Sequence, residues 1–155
     1  MGLESGAAQA REVTVLVDTT VWSLALRRRR VALSAAERGL VRELESLLAE
    51  GRVLLAGAVR QEILTGVRDE AAFERLRERL SSFDDVPVET ADHEMAAAFA
   101  NRCLGAGVAV ASTDLLLCAV ASRRGAAVFT TDPDFARHAE VVPVRLHVPS
   151  DRGAR

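Results

Sequence analysis

Residues 13–17, Val13, Thr14, Val15, Leu16 and Val17, are apolar or β-branched at successive positions, without the polar alternation of a half-exposed strand. Such a run reads as a strand covered on both faces, and it stops at Asp18, Thr19 and Thr20, which together form a helix-start signal. A strand buried on both faces needs a helical layer on each side. That requirement ties the chain to an α/β arrangement with a parallel or mostly parallel sheet.

The rest of the sequence keeps the alternation. A helix is expected over 19–28. A second opens on a capping box at Ser34 and Glu37 and carries Leu40, Val41, Leu44, Leu47 and Leu48 at helical spacing until Gly51. Residues 52–55 read as a strand, followed by a helix bearing Val59, Glu62 and Ile63 that ends near Gly66, and by an amphipathic helix over 69–81. Residues 86–88 read as a short peripheral strand, because Pro87 cannot donate to a ladder. Further helices are expected from Thr90 to the Gly105–Gly107 region and from Ser112 to Gly125, the second largely apolar and so buried. A strand over 127–130, a short helix from Asp132 and a last strand over 141–146 complete the pattern.

The chain has 155 residues, room for one core and too few for two ordinary domains. One domain is expected over 13–148, with disordered segments at 1–12 and 149–155. No apolar stretch approaches the roughly 20 residues of a membrane span, and no leader pattern opens the chain, so a soluble cytoplasmic protein without membrane contact is expected. Cys103 and Cys118 match neither a zinc site nor a disulfide framework and read as buried thiols. His93, His138 and His147 share no ligand spacing and read as surface or structural residues.

All 20 basic residues are arginine, since the chain has no lysine. A P-loop and a Schiff-base enzyme are thereby excluded. So is a receiver-like phosphoacceptor domain, which needs a lysine. A haloacid-dehalogenase-type phosphatase would carry an aspartate where Thr20 stands. The formal net charge of −2 does not exclude a nucleic-acid substrate: with four candidate metal-binding carboxylates set aside, the remainder is +2.

Those four are Asp18, Glu62, Asp114 and Asp132. Each lies at a strand-to-helix junction or in the first turns of a helix, and in a parallel sheet such junctions share one edge. Acids gathered there repel by roughly 1 kcal/mol per pair at about 4 Å in water, and by more in a cleft. A divalent cation is the usual reason to keep such a cluster. Capping and the helix dipole offer a plainer account of Asp18, Asp114 and Asp132 taken singly, but less so of Glu62, whose only nearby cation in sequence is Arg60.

Four ordered motifs carry a resemblance. They are Val17-Asp18-Thr19-Thr20-Val21-Trp22; Glu62 within residues 59–66; Ser112-Thr113-Asp114-Leu115 with Ala119; and Val128-Phe129-Thr130-Thr131-Asp132-Pro133-Asp134-Phe135. Together, over residues 13–146, they resemble a PIN-domain ribonuclease, and most of all the VapC toxins of bacterial toxin–antitoxin pairs. The resemblance implies a three-layer α/β/α fold with a mostly parallel sheet of four to five strands. It also implies a Mg²⁺- or Mn²⁺-dependent endoribonuclease in which Asp18, Glu62, Asp114 and Asp132 bind metal and a metal-activated water hydrolyses RNA, with structured RNAs such as tRNA or ribosomal RNA as substrates.

By the same resemblance Thr20 and Thr130 would support the metal ligands, and Asp134 is an additional candidate beside Asp132. Arg27, Arg28, Arg29 and Arg30 form a basic run that would suit RNA or an antitoxin as well as a solvated helix end. Trp22 is either a core residue or part of an RNA- or antitoxin-contact region. A cognate antitoxin and a homodimer are implied as partners. The competing readings are a non-catalytic PIN-like module that only binds a partner or RNA, and a PIN nuclease of RNA maturation.

Overall fold

The computed structural model describes residues 12–150. The disordered ends expected from sequence fall outside those residues, except for Glu12, Pro149 and Ser150. Four strands, β1 (Val15–Val17), β2 (Val53–Leu54), β3 (Ala127–Phe129) and β4 (Arg145–Leu146), form one sheet of order β2-β1-β3-β4, with every pairing parallel. Seven α-helices complete the described residues: α1 (Thr19–Leu26), α2 (Ala35–Ala49), α3 (Gly57–Leu64), α4 (Glu70–Leu80), α5 (Thr90–Gly105), α6 (Ser112–Arg123) and α7 (Pro133–Ala139). The result is the three-layer α/β/α arrangement. Among the described residues no helix is long and apolar enough to cross a membrane.

The unbroken apolar character of β1 has the expected consequence: Val15, Leu16 and Val17 are fully buried at the centre of the sheet. Helix α6 packs against both β1 and β3, and six of its residues, including Leu115, Cys118 and Val120, are buried. Each buried aliphatic side chain contributes roughly 1.5–3 kcal/mol relative to exposure, so this central layer dominates the stability of the fold. The capping box of α2 forms as read from sequence: the Ser34 hydroxyl accepts from Glu37 N, and the Glu37 carboxylate accepts from Ser34 N. A small second core of Leu24, Leu33 and Val41 joins the end of α1 to α2. Gly51 and Gly125, just past α2 and α6, adopt φ values of 66° and 62°, a region that favours glycine at helix ends.

Two expected strands are corrected. Residues 86–88 are not a strand; the segment makes one parallel bridge, Leu55 to Asp85, with Val86 N donating to Leu55 O. Pro87 lacks a donor and its carbonyl is taken by the Arg124 guanidinium, so no ladder can extend. The last strand shrinks from 141–146 to Arg145–Leu146. The amides of Val141 and Val142 both donate to His138 O at the end of α7, which removes them from the sheet. Cys103 and Cys118 are buried free thiols, as read.

Candidate metal centre

The chain leaves β1 for β2 on one side, and returns later to β3 on the other, so the carboxyl ends of β1 and β3 flank the point where strand order reverses. Open α/β sheets bind ligands at such a point. Asp18 follows β1 directly, and its amide donates to Phe129 O, the last residue of β3, at 2.8 Å. Thr130 and Asp132 follow β3 within three residues.

A cleft of about 710 Å³ opens at this edge, and Asp18, Glu62, Asp114 and Asp132 all line it. The four acids that sequence places at strand ends and first helical turns are therefore brought to one cavity. Asp114, Asp132 and Asp134 form the tightest group, each offering a ligand oxygen with all of these atoms within 4.8 Å of one another. The turn that starts α7 places Asp132 and Asp134 side by side. Asp134 N donates to Asp132 Oδ1 at 2.9 Å, while the exposed Asp134 carboxylate also meets the Arg137 guanidinium.

The plain capping account separates the three aspartates. Asp132 caps α7, as its bond from Asp134 N shows. Asp18 occupies the N-cap position of α1 but makes no side-chain cap hydrogen bond, and Asp114 lies within the first turn of α6 behind the cap residue Ala111. The 95% buried Asp18 carboxylate is held instead by two hydroxyls: Thr130 Oγ1 donates to Oδ2 at 2.8 Å and Thr20 Oγ1 at 3.0 Å. Thr131 N donates to Thr20 Oγ1, and Asp132 N to Thr130 Oγ1, both at 3.0 Å. The two threonines thus knit the ends of β1 and β3 around Asp18. Across the cleft, Thr19 Oγ1 donates to Glu62 Oε2, joining α1 to the exposed glutamate on α3.

Electrostatics at Asp114 reflect its burial among like charges. Partial burial first, then the neighbouring Asp132 and Asp18, and weakly Glu62, push its carboxyl up to about 6, against a smaller opposing effect of His138. His138 is buried, and its Nε2 lies 3.1 Å from Ala109 O, linking α7 to the segment that leads into α6. The isolated position of this histidine in sequence gave no sign of that link.

The basic run divides. Arg28 lines the acidic cleft, whereas Arg27 lines a separate cavity of about 420 Å³ with Leu26, Val67, Ala72, Arg75, Leu76 and Arg79. Arg29 is exposed; Arg30 opens a 3-10 turn. Trp22 is 2% exposed and meets Phe83 edge-on at 5.5 Å, which makes it a core residue and leaves no surface for RNA or a partner.

Carboxylate oxygens with a backbone-supported geometry are the donor set hard divalent cations such as Mg²⁺ and Mn²⁺ take, and neither cysteine nor histidine lines this cleft among the described residues. Comparison with known proteins agrees with the fold. No curated protein matches the chain in sequence. Among solved structures the chain is similar to FitAcB from Neisseria gonorrhoeae (TM-score 0.70, 22% identity, covering 88% of this chain and 98% of that one). It is also similar to VapBC2 from Rickettsia felis bound to a promoter DNA fragment (TM-score 0.68, 16% identity, 87% and 98% covered). VapBC-5 from Mycobacterium tuberculosis, from the VapBC family of toxin–antitoxin systems, aligns at a TM-score of 0.60 with 19% identity, covering 88% and 99%. A family model, PIN domain, matches residues 15–141, a span that runs from β1 to just past α7 and takes in every acid of the cleft; the chain belongs to the PIN domain family.

Proposed function

We propose that this protein is a Mg²⁺- or Mn²⁺-dependent endoribonuclease and the toxin of a toxin–antitoxin pair. The observation that carries the reading is the grouping of ligand oxygens of Asp114, Asp132 and Asp134 within 4.8 Å, beside a cleft that Asp114 and Asp132 line together with Asp18 and Glu62. Asp114 and Asp132 would hold the cation, with Asp18, Glu62 and Asp134 completing or supporting the set. When bound, a divalent cation acidifies water and stabilises charge on a phosphodiester.

The chain's own residues do the positioning. Thr20 and Thr130 fix the orientation of the Asp18 carboxylate by donating to it. Asp114, pushed up to about 6, sheds its proton close to neutrality and so is charged when the cleft is loaded at physiological pH.

The toxin assignment rests on the fold shared with VapBC-5 from Mycobacterium tuberculosis, a member of the VapBC family of toxin–antitoxin systems. A cognate antitoxin is proposed to cover the cleft and present a cationic side chain to the carboxylates, and the chain is proposed to form a homodimer. Purified protein should fragment total RNA with Mg²⁺ or Mn²⁺ and stop with chelator, while Asp132→Asn should lose at least 10-fold in rate. Cleavage that persists in chelator would remove the metal from the account. Expression from the native operon should yield a stable complex with a small partner, and its absence would count against the toxin role.

A further inference from the structure

We infer that Arg28 is a substrate-phosphate contact in an outer subsite of the cleft, and that Glu37 holds it in reserve; this rests on the nuclease reading above. The cleft is far larger than its carboxylates need. At about 710 Å³ it falls within the roughly 300–1,000 Å³ typical of pockets that enclose an organic ligand. Along α1 it is lined first by Thr19 and Thr20 beside the acids, then by Ser23 and Leu24 a turn later, and just past the helix end by Arg28. From Thr20 to Leu26, where α1 ends, the helical rise is roughly 9 Å, and Arg28 lies two residues beyond that end. That separation keeps Arg28 out of the acid cluster and suits a phosphate next to the one being cut.

Charge gives the position its meaning. Arg28 is the one basic residue among the described residues lining a cleft that otherwise presents five acids, counting Glu37. A polyanionic strand entering such a cleft meets repulsion everywhere except at the bound metal and at Arg28. The guanidinium is 57% exposed and tethered on one side only, by Nη1 to Glu37 Oε1 at 3.2 Å. Glu37 is itself fixed, because its other oxygen accepts Ser34 N at 2.7 Å in the capping box of α2. An exposed single-contact pair of this kind is weak, so a phosphate, able to take two parallel N–H donors, would displace Glu37 readily.

The capping box supplies a clean variant. Gln serves at its third position as Glu does, so Glu37→Gln keeps the α2 cap and removes only the charge that holds Arg28. Arg28→Gln removes the cation at an exposed site and leaves the fold intact. The probe is a labelled single-stranded RNA 12-mer of mixed sequence, titrated by fluorescence anisotropy with Mn²⁺ against full-length Asp114→Asn protein at four salt concentrations. Arg28→Gln should weaken binding roughly three- to tenfold and reduce the salt slope by about 0.7, the share of one phosphate on a single strand. Glu37→Gln should tighten binding about two- to fivefold, and the double variant should match Arg28→Gln.

Unchanged affinity and slope in Arg28→Gln, beside wild-type protein that cleaves RNA, would overturn the Arg28 contact and leave the nuclease reading standing. Arg28-dependent binding by a wild-type protein that cleaves no RNA would overturn the nuclease reading and keep the contact. Protein that neither binds nor cleaves would overturn both.

Discussion

Thr130 does two things with one hydroxyl: it donates to Asp18 Oδ2 at 2.8 Å and accepts Asp132 N at 3.0 Å. Its replacement by valine keeps the β-branched shape and removes both bonds. Thr130→Val should destabilise the protein by about 1–3 kcal/mol, the range for leaving a buried polar group unsatisfied, and lower Mn²⁺ affinity on the order of 10-fold or more. Thermal unfolding and a Mn²⁺ titration would measure the two effects, and an unchanged metal affinity would detach Thr130 from the site. At Asp114 the sign is opposite. Its carboxyl is raised to about 6 from an ordinary 3.8, so the folded protein holds that proton more tightly than the unfolded chain. The charged form therefore penalises folding above about pH 4, fully so above pH 6, and the penalty is relieved as pH falls. In chelator at pH 7.5, Asp114→Asn should be more stable than the parent by about 1–2 kcal/mol, a figure discounted for screening in the open cleft. That gain should shrink at pH 5, as urea unfolding at the two pH values would show.

At the scale of elements, α5 begins on a device that sequence alone did not expose. Asp92, fully buried, accepts Glu89 N at 2.8 Å and pairs with Arg123 at 2.8 Å and Arg124 at 3.2 Å at the end of α6. Burial raises its carboxyl, but the Glu89 amide and the two guanidinium groups outweigh that and hold it down at about 2. A depressed carboxyl stabilises the fold above its unfolded value near 3.8, and that contribution of about 2 kcal/mol is lost as pH falls through about 2. Asp92→Ala should cost more, roughly 3–5 kcal/mol, because two arginines lose a buried partner. Equal stability of parent and variant would show that solvent already satisfies the arginines. The residues around Asp92, Thr90-Ala91-Asp92-His93-Glu94, read simply as a helix start, since its arginine partners lie 31 and 32 residues away and no local pattern points to them. The same limit explains the strands. The β1 run was legible because its apolar character is local, whereas 86–88 and 141–144 failed as strands because Arg124 and His138 take their hydrogen-bonding groups.

For the whole molecule, alternation of strands and helices was enough to give a parallel three-layer fold, and that fold was enough to bring Asp18, Glu62, Asp114 and Asp132 to one cleft across 114 positions of chain. Geometry within the cleft was not legible in the same way. The adjacency of Asp134 to Asp114 depends on the turn into α7, and the division of the arginine run depends on where α1 ends. The central claim is that these carboxylates form a divalent-metal site. Calorimetric titration of Mn²⁺ into purified protein at pH 7.5 and pH 5.5, beside Asp114→Asn, tests it most directly. The account predicts binding at pH 7.5 that weakens several-fold at pH 5.5, as the Asp114 proton competes, and a loss of roughly 10-fold or more in the variant. Parent protein that takes up no Mn²⁺, or a variant that binds as tightly as its parent at both pH values, would contradict it.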